Sequence, residues 1–192
     1  MNKSITYSAF FADVNALGAE LHARFSGTER ILLATEASRA WVTVYFAVVC
    51  GGGTVIPIDP TASVSELAQS ARRTRADVIF CTRTVKNRLI AELTESDPQA
   101  QSAPVVFSIE DLSELAKSGR TRIEQGDRRF HDVIPDPNSP CTVLFESGRA
   151  TGNSLGVMLS HRNLCFTVSQ LCRMVNLTSD DVFLSVLPLH LI

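Results

Sequence analysis

The sequence predicts an α/β fold, a mostly parallel sheet flanked by helices. Three observations point there. Short apolar runs at Arg30–Thr35, Thr54–Ile58, Asp77–Cys81 and Val105–Ser108 alternate with longer stretches of helical periodicity. The runs are almost continuously apolar, as strands covered on both faces are. Glycines, prolines and capping residues punctuate the boundaries. Crossovers between parallel neighbours are expected to be right-handed.

Taken in order, Phe10, Val14, Leu17 and Leu21 repeat at helical spacing within Thr6–Phe25. Arg30–Thr35 is the first strand. Ser38 can cap a helix that runs through Cys50 and stops at Gly51, Gly52 and Gly53. The β-branched run Thr54–Ile58 ends at Asp59 and Pro60, and Asp59 is read as fixing that turn. Ser63 and Glu66 form a capping box that opens a helix to about Arg75. Strand Asp77–Cys81, helix Val85–Leu93, strand Val105–Ser108 and helix Glu110–Lys117 follow. Ser118–Pro140 carries Pro135, Pro137 and Pro140 with little apolar periodicity, and reads as a surface connection. Beyond it come strands at Cys141–Phe145 and Val157–Leu159, a helix capped by Ser160 through about Val175, and a last strand at Val182–Leu187.

The 192 residues suit one domain with its own core. A net charge of −2 gives no electrostatic footprint for nucleic acid. The run Arg72, Arg73, Arg75 reads as the solvated face of a helix, with phosphate contact as the alternative. The five cysteines show no CxxC spacing, so neither a disulfide framework nor a zinc site is expected, and no metal ligands are assigned. Cys81 and Cys141 read as core residues. Cys165 and Cys172, seven apart on one helix face, are expected to be buried too. Buried free thiols suit a reducing compartment, so a cytoplasmic location is expected. Met1–Phe10 lacks the apolar centre of a signal peptide. The longest apolar run, Ala40–Cys50, is too short to span a bilayer.

The chemistry concentrates in Glu146-Ser-Gly-Arg-Ala-Thr-Gly-Asn-Ser-Leu-Gly156, directly after an apolar strand. Gly148, Gly152 and Gly156 allow backbone turns closed to other residues and leave N–H groups free to converge. Ser147, Thr151 and Ser154 add hydroxyl donors. Such a nest suits phosphate oxygens, and a plain glycine-rich turn is the alternative. It is neither a Walker A loop, since no Gly-Lys-Ser/Thr follows, nor a dinucleotide fingerprint, since G-x-G-x-x-G does not occur.

The stretch from Phe145 to Leu164, with Gly148, Gly152, Gly156-Val-Met-Leu-Ser-His-Arg-Asn-Leu164, resembles the signature of the AMP-forming adenylating enzymes. These are the acyl-CoA synthetases, the adenylation domains of peptide synthetases and the luciferases. Val55-Ile-Pro-Ile-Asp-Pro60 and Asp180-Asp-Val-Phe-Leu-Ser-Val-Leu-Pro-Leu189 are similar to further family stretches in the same order. The wording around Met158–Leu164 and Phe183–Leu189 is most similar to fatty-acid and aryl CoA ligases. The resemblance implies a single incomplete AMP-binding (adenylation) domain over 1–192. Its parts would be a first α/β part at 1–118, a surface connection at 119–140 and a phosphate-loop part at 141–192. It also implies ATP and magnesium (Mg2+) as cofactors, a small-molecule carboxylate as substrate, and coenzyme A as co-substrate of a complete enzyme. A missing C-terminal half or a partner chain would then complete the site and cover the apolar residues Leu184–Ile192. The implied phosphate site is Ser147, Gly148, Arg149, Thr151, Gly152, Ser154 and Gly156.

Four departures from the family pattern bear on activity. Glu146 replaces a hydroxyl residue beside the phosphates. Arg149-Ala150-Thr151 occupies a space that two threonines fill, so the loop gains a residue. Ser154-Leu155 replaces Pro-Lys and removes a phosphate-neutralising cation, for which Arg149 is a candidate substitute. His190 stands one place before the family's substrate-side histidine, leaving two readings: substrate-side group or strand-end residue. The isolated chain is therefore expected to be inactive, and a degenerate, non-catalytic adenylation-fold module is the alternative.

Overall fold

The computed structural model describes residues 4–96 and 103–191. The elements are α1 (Tyr7–Phe25), β1 (Arg30–Ala34), α2 (Arg39–Cys50), β2 (Thr54–Pro57), α3 (Val64–Thr74), β3 (Val78–Cys81), α4 (Arg83–Ser96), β4 (Val105–Ser108), α5 (Leu112–Glu124), β5 (Pro140–Phe145), β6 (Gly156–Ser160) and α6 (His161–Met174). The sheet order is β4-β3-β1-β2-β5-β6. Every pairing is parallel except β5 with β6.

Alternation along each strand sorts the core into two layers. Leu32, Ala34, Ile56, Ile79 and Cys81 face α3 and α4, where they meet Leu67, Ala71 and Leu89. Ile31, Leu33, Val55, Val78 and Phe80 face the other way, onto Val14, Leu17, Trp41, Val44 and Leu115 of α1, α2 and α5. Both faces are covered, which is why these strands carry no polar alternation. Helix starts follow the capping chemistry. Ser38 accepts from Trp41 N, and Ser63 forms a reciprocal box with Glu66. Ser160 forms the equivalent box with Asn163 at the start of α6.

On the α1 side, Glu20 is buried between two helices and bridges Arg24 and Arg122, at 2.6 Å each. Its carboxyl is pushed up by burial, but the two arginines outweigh this and hold it below the ordinary value. Gly119 of α5 lies so close to α1 that a Cβ there would stand 1.7 Å from the Ala16 carbonyl oxygen. No helix among the described residues is long and apolar enough to cross a membrane.

Several expectations need correction. α5 extends to Glu124, so the connection expected from Ser118 begins as helix, and Phe130 within it is buried against Gly18 and Gly51. The expected strand at Val182–Leu187 is irregular and exposed, because that run finds no ladder partner among the described residues. Cys165 and Cys172 are exposed, since no residue of α6 is buried. Ile192, counted with the apolar C-terminal residues, lies outside the described residues.

Candidate functional site

Because β1, β2, β3 and β5 run parallel, their carboxyl ends share one edge of the sheet, the usual location of ligand sites in open α/β sheets. β5 ends there at Phe145 and the chain turns back as β6 from Gly156, so residues 146–155 form a hairpin loop at that edge. The turn begins with a Gly148 N–H to Phe145 C=O bond of 2.8 Å, and Gly148 has φ +66°. Its carbonyl accepts from Asp59 N at 2.8 Å, which ties the loop to the end of β2. Gly152 is also left-handed, at φ +56°. Gly156 presses on the Phe145 ring, where a Cβ would stand 2.9 Å from Cε1.

Inside the loop, hydroxyls satisfy carbonyls. Ser147 Oγ reaches Arg149 O at 3.1 Å, and Ser154 Oγ reaches Arg149 O and Thr151 O at 2.8 and 2.9 Å. Ala150 is fully buried in the layer beneath α3 and anchors the loop. The backbone N–H groups of Ser147, Arg149, Thr151, Gly152 and Asn153 meet no acceptor among the described residues. The loop therefore presents free donors while the carbonyl oxygens of Gly148, Arg149, Thr151, Gly152, Ser154 and Leu155 are occupied, a polarity that suits an anion.

Arg149 points out of the loop toward α3. Its guanidinium contacts Glu66 Oε1 at 3.0 Å and Asp59 Oδ2 at 3.2 Å. Asp59 also accepts from Thr61 N and Oγ, so it does fix its turn, and it holds a cation as well. Burial pushes the Asp59 carboxyl up, but the Thr61 bonds and then His190 and Arg149 outweigh it, and the group sits below its ordinary value. Bonds from the Ser63 backbone and hydroxyl, with Arg149 close by, lower Glu66 likewise.

The half-buried ring of His190 lies against Gly148, so that a Cβ on Gly148 would be 2.7 Å from His190 Cδ2. The structure thus gathers Ser147, Gly148, Arg149, Thr151, Gly152 and Ser154 in one loop with His190 at its front, and Gly156 closes the base. Arg73, read from sequence as part of a solvated helix face, is a loop contact. Its Nη1 reaches Thr151 O, Gly152 O and Ser154 Oγ at 3.3, 3.0 and 3.1 Å, and its Nη2 reaches Ser154 O at 2.5 Å. Nothing in the local sequence signals this contact, because its partners lie more than seventy residues away.

The chain is similar to known proteins over nearly its whole length. It is 24% identical over 178 residues to the nonribosomal peptide synthetase nlsA of Emericella nidulans, which covers 92% of this chain and 3% of that protein. It is 25% identical over 179 residues to the chloroplastic long-chain-fatty-acid--[acyl-carrier-protein] ligase AEE15 of Arabidopsis thaliana, covering 83% of this chain and 24% of the ligase. Among solved structures, ATP-bound MatB from Rhodopseudomonas palustris superposes with a TM-score of 0.79 at 24% identity, over 98% of this chain and 36% of that one. The chain thus spans a quarter or less of these two curated relatives. The sequence profile of the AMP-binding enzyme family matches residues 1–192. On that match the chain belongs to the AMP-binding enzyme family.

Proposed function

We propose that this chain is the phosphate-handling part of an ATP-dependent, AMP-forming carboxylate ligase of the acyl-CoA synthetase type. In that reaction a carboxylate oxygen attacks the α-phosphorus of ATP, and the bond to the β-phosphate oxygen breaks to give acyl-AMP and pyrophosphate. A thiol, with coenzyme A as the proposed acceptor, then takes the acyl group and releases AMP. A fatty or aryl acid is the proposed substrate, from the wording at Met158–Leu164 and Phe183–Leu189. The observation that carries the reading is the polarity of the 146–155 loop, which offers N–H donors at Ser147, Arg149, Thr151, Gly152 and Asn153. Donors fixed in advance around the β- and γ-phosphates stabilise charge moving onto the leaving pyrophosphate. Gly148 and Gly152 supply the left-handed backbone, at φ +66° and +56°, that this turn requires. Magnesium would share the phosphate charge. Among the described residues no three His, Cys, Asp or Glu side chains cluster to hold it, so it would arrive on the nucleotide oxygens.

A second reading, a non-catalytic adenylation-fold binding module, is favoured by one observation. Arg149, the loop's only cation, is already paired with Asp59 and Glu66. Position 155, lysine in the family's loop, is leucine. Binding and turnover separate the two readings. ATP and inorganic triphosphate are expected to bind weakly and compete with each other, with AMP far weaker and Gly148→Trp abolishing both. AMP binding as tight as ATP would overturn the loop assignment. Carboxylate-dependent exchange of labelled pyrophosphate into ATP, with fatty and aryl acids, is expected to stay at the level of the Gly148→Trp control for the isolated chain. Exchange clearly above it would overturn the expectation of inactivity and the second reading with it.

A further inference from the structure

Helix α3 grips the loop through two side chains on one face. Glu66 in its first turn and Arg73 in its last are seven residues apart, two helical turns, and so project from the same side. Glu66 takes the loop's cation, Arg149, at 3.0 Å. Arg73 takes the loop's carbonyl oxygens at Thr151, Gly152 and Ser154, together with the Ser154 hydroxyl. The guanidinium rests over the Phe145 ring, 5.4 Å from its centroid, which fixes its plane at the root of the loop. One planar fork therefore serves four oxygens, a task a lysine ammonium cannot copy from a single nitrogen.

The C=O and N–H of a trans peptide unit point in opposite directions. Drawing the Thr151 and Gly152 carbonyls toward α3 turns the N–H groups of Gly152 and Asn153 away from it. We propose that Arg73 is a positioning residue of the phosphate site, aiming these two donors at the bound anion by gathering the carbonyls behind them. This role rests on the function proposed above. It also accounts for a cation this close to the loop that does not itself face the phosphate side.

The test uses the purified protein with Arg73→Gln and Arg73→Lys. Hydrogen exchange of the bonded loop amides Glu146, Gly148 and Ser154 is followed without ligand, and affinity for ATP and for inorganic triphosphate is measured by calorimetry. For Arg73→Gln, loop exchange is expected to rise several-fold, and both ligands to weaken on the order of tenfold, with the melting temperature little changed because Arg73 is exposed. Arg73→Lys keeps the charge and loses the fork, so it is expected to resemble Arg73→Gln rather than the parent. Lysine behaving as arginine would overturn the positioning role in favour of a simple charge effect. Raised exchange with unchanged triphosphate affinity would overturn it in favour of a purely structural clamp. Unchanged exchange would overturn the clamp itself. A parent protein that binds no triphosphate would overturn the proposed function and this role with it, whereas binding by the parent and Arg73→Gln alike would overturn this role alone.

Discussion

Gly148→Ala tests whether the loop depends on a left-handed backbone or on space for His190. Gly148 has φ +66°, and alanine in that region costs about 1–2 kcal/mol. The new Cβ would also meet His190 Cδ2 at 2.7 Å, well inside ordinary contact. His190 lies in an irregular, partly exposed segment, so its ring is the part that moves. The expected loss is therefore about 1–2 kcal/mol, nearly all of it backbone strain. For a chain of this size that lowers the melting temperature by about 2–8 °C. Denaturant titrations of Gly148→Ala, His190→Ala and the double variant are expected to give a coupling below about 0.5 kcal/mol. Gly148→Asn should lose less than Gly148→Ala, because asparagine tolerates the left-handed region. Full recovery of stability in the double variant would refute the strain argument and put the cost on the His190 contact.

Gly119→Ala is expected to destabilise by about 1–3 kcal/mol despite alanine's better helix propensity, since α1 must withdraw from a Cβ placed 1.7 Å from Ala16 O; thermal melting checks this. Glu20→Gln should cost about 1–3 kcal/mol at neutral pH, with the arginines' partial exposure limiting the loss. Because the folded Glu20 carboxyl lies below its unfolded value near 4.5, its contribution is full above that value and is lost as pH falls through the folded one. The stability gap between parent and Glu20→Gln should accordingly shrink in acid denaturation series. Iodoacetamide at pH 8 is expected to modify Cys165 and Cys172 first and Cys50 later, with Cys81 last, since burial pushes the Cys81 thiol up to about 11; peptide mapping gives the order.

The parallel layers were legible because local signals agree with the tertiary environment. Apolar runs such as Val78–Cys81 are buried on both faces, and the Ser63–Glu66 box opens α3 where the pattern places it. The hairpin loop was legible from its glycine spacing. What escaped depends on distant partners. Arg73 looks solvated within its own helix, and only a loop about eighty residues later makes it a clamp. Ser118–Pro140 reads as a surface connection, yet α5 continues through Gly119, where the α1 backbone passes too close for any side chain. Val182–Leu187 has strand composition, but a strand exists only where another backbone meets its hydrogen bonds.

The antiparallel β5–β6 pair has a consequence for how the loop can vary. Register from Thr142↔Leu159 to Phe145↔Gly156 clamps both ends of residues 146–155, so the loop behaves as a ring closed at a fixed gate. Lengthening such a ring from nine residues to ten costs about 0.1 kcal/mol of closure entropy. Burying one methyl group, as Ala150 does, returns about 0.8 kcal/mol. An added residue in this ring can therefore be a net gain in anchorage while the sheet on either side keeps its register, and loop length becomes a variable that the scaffold leaves open.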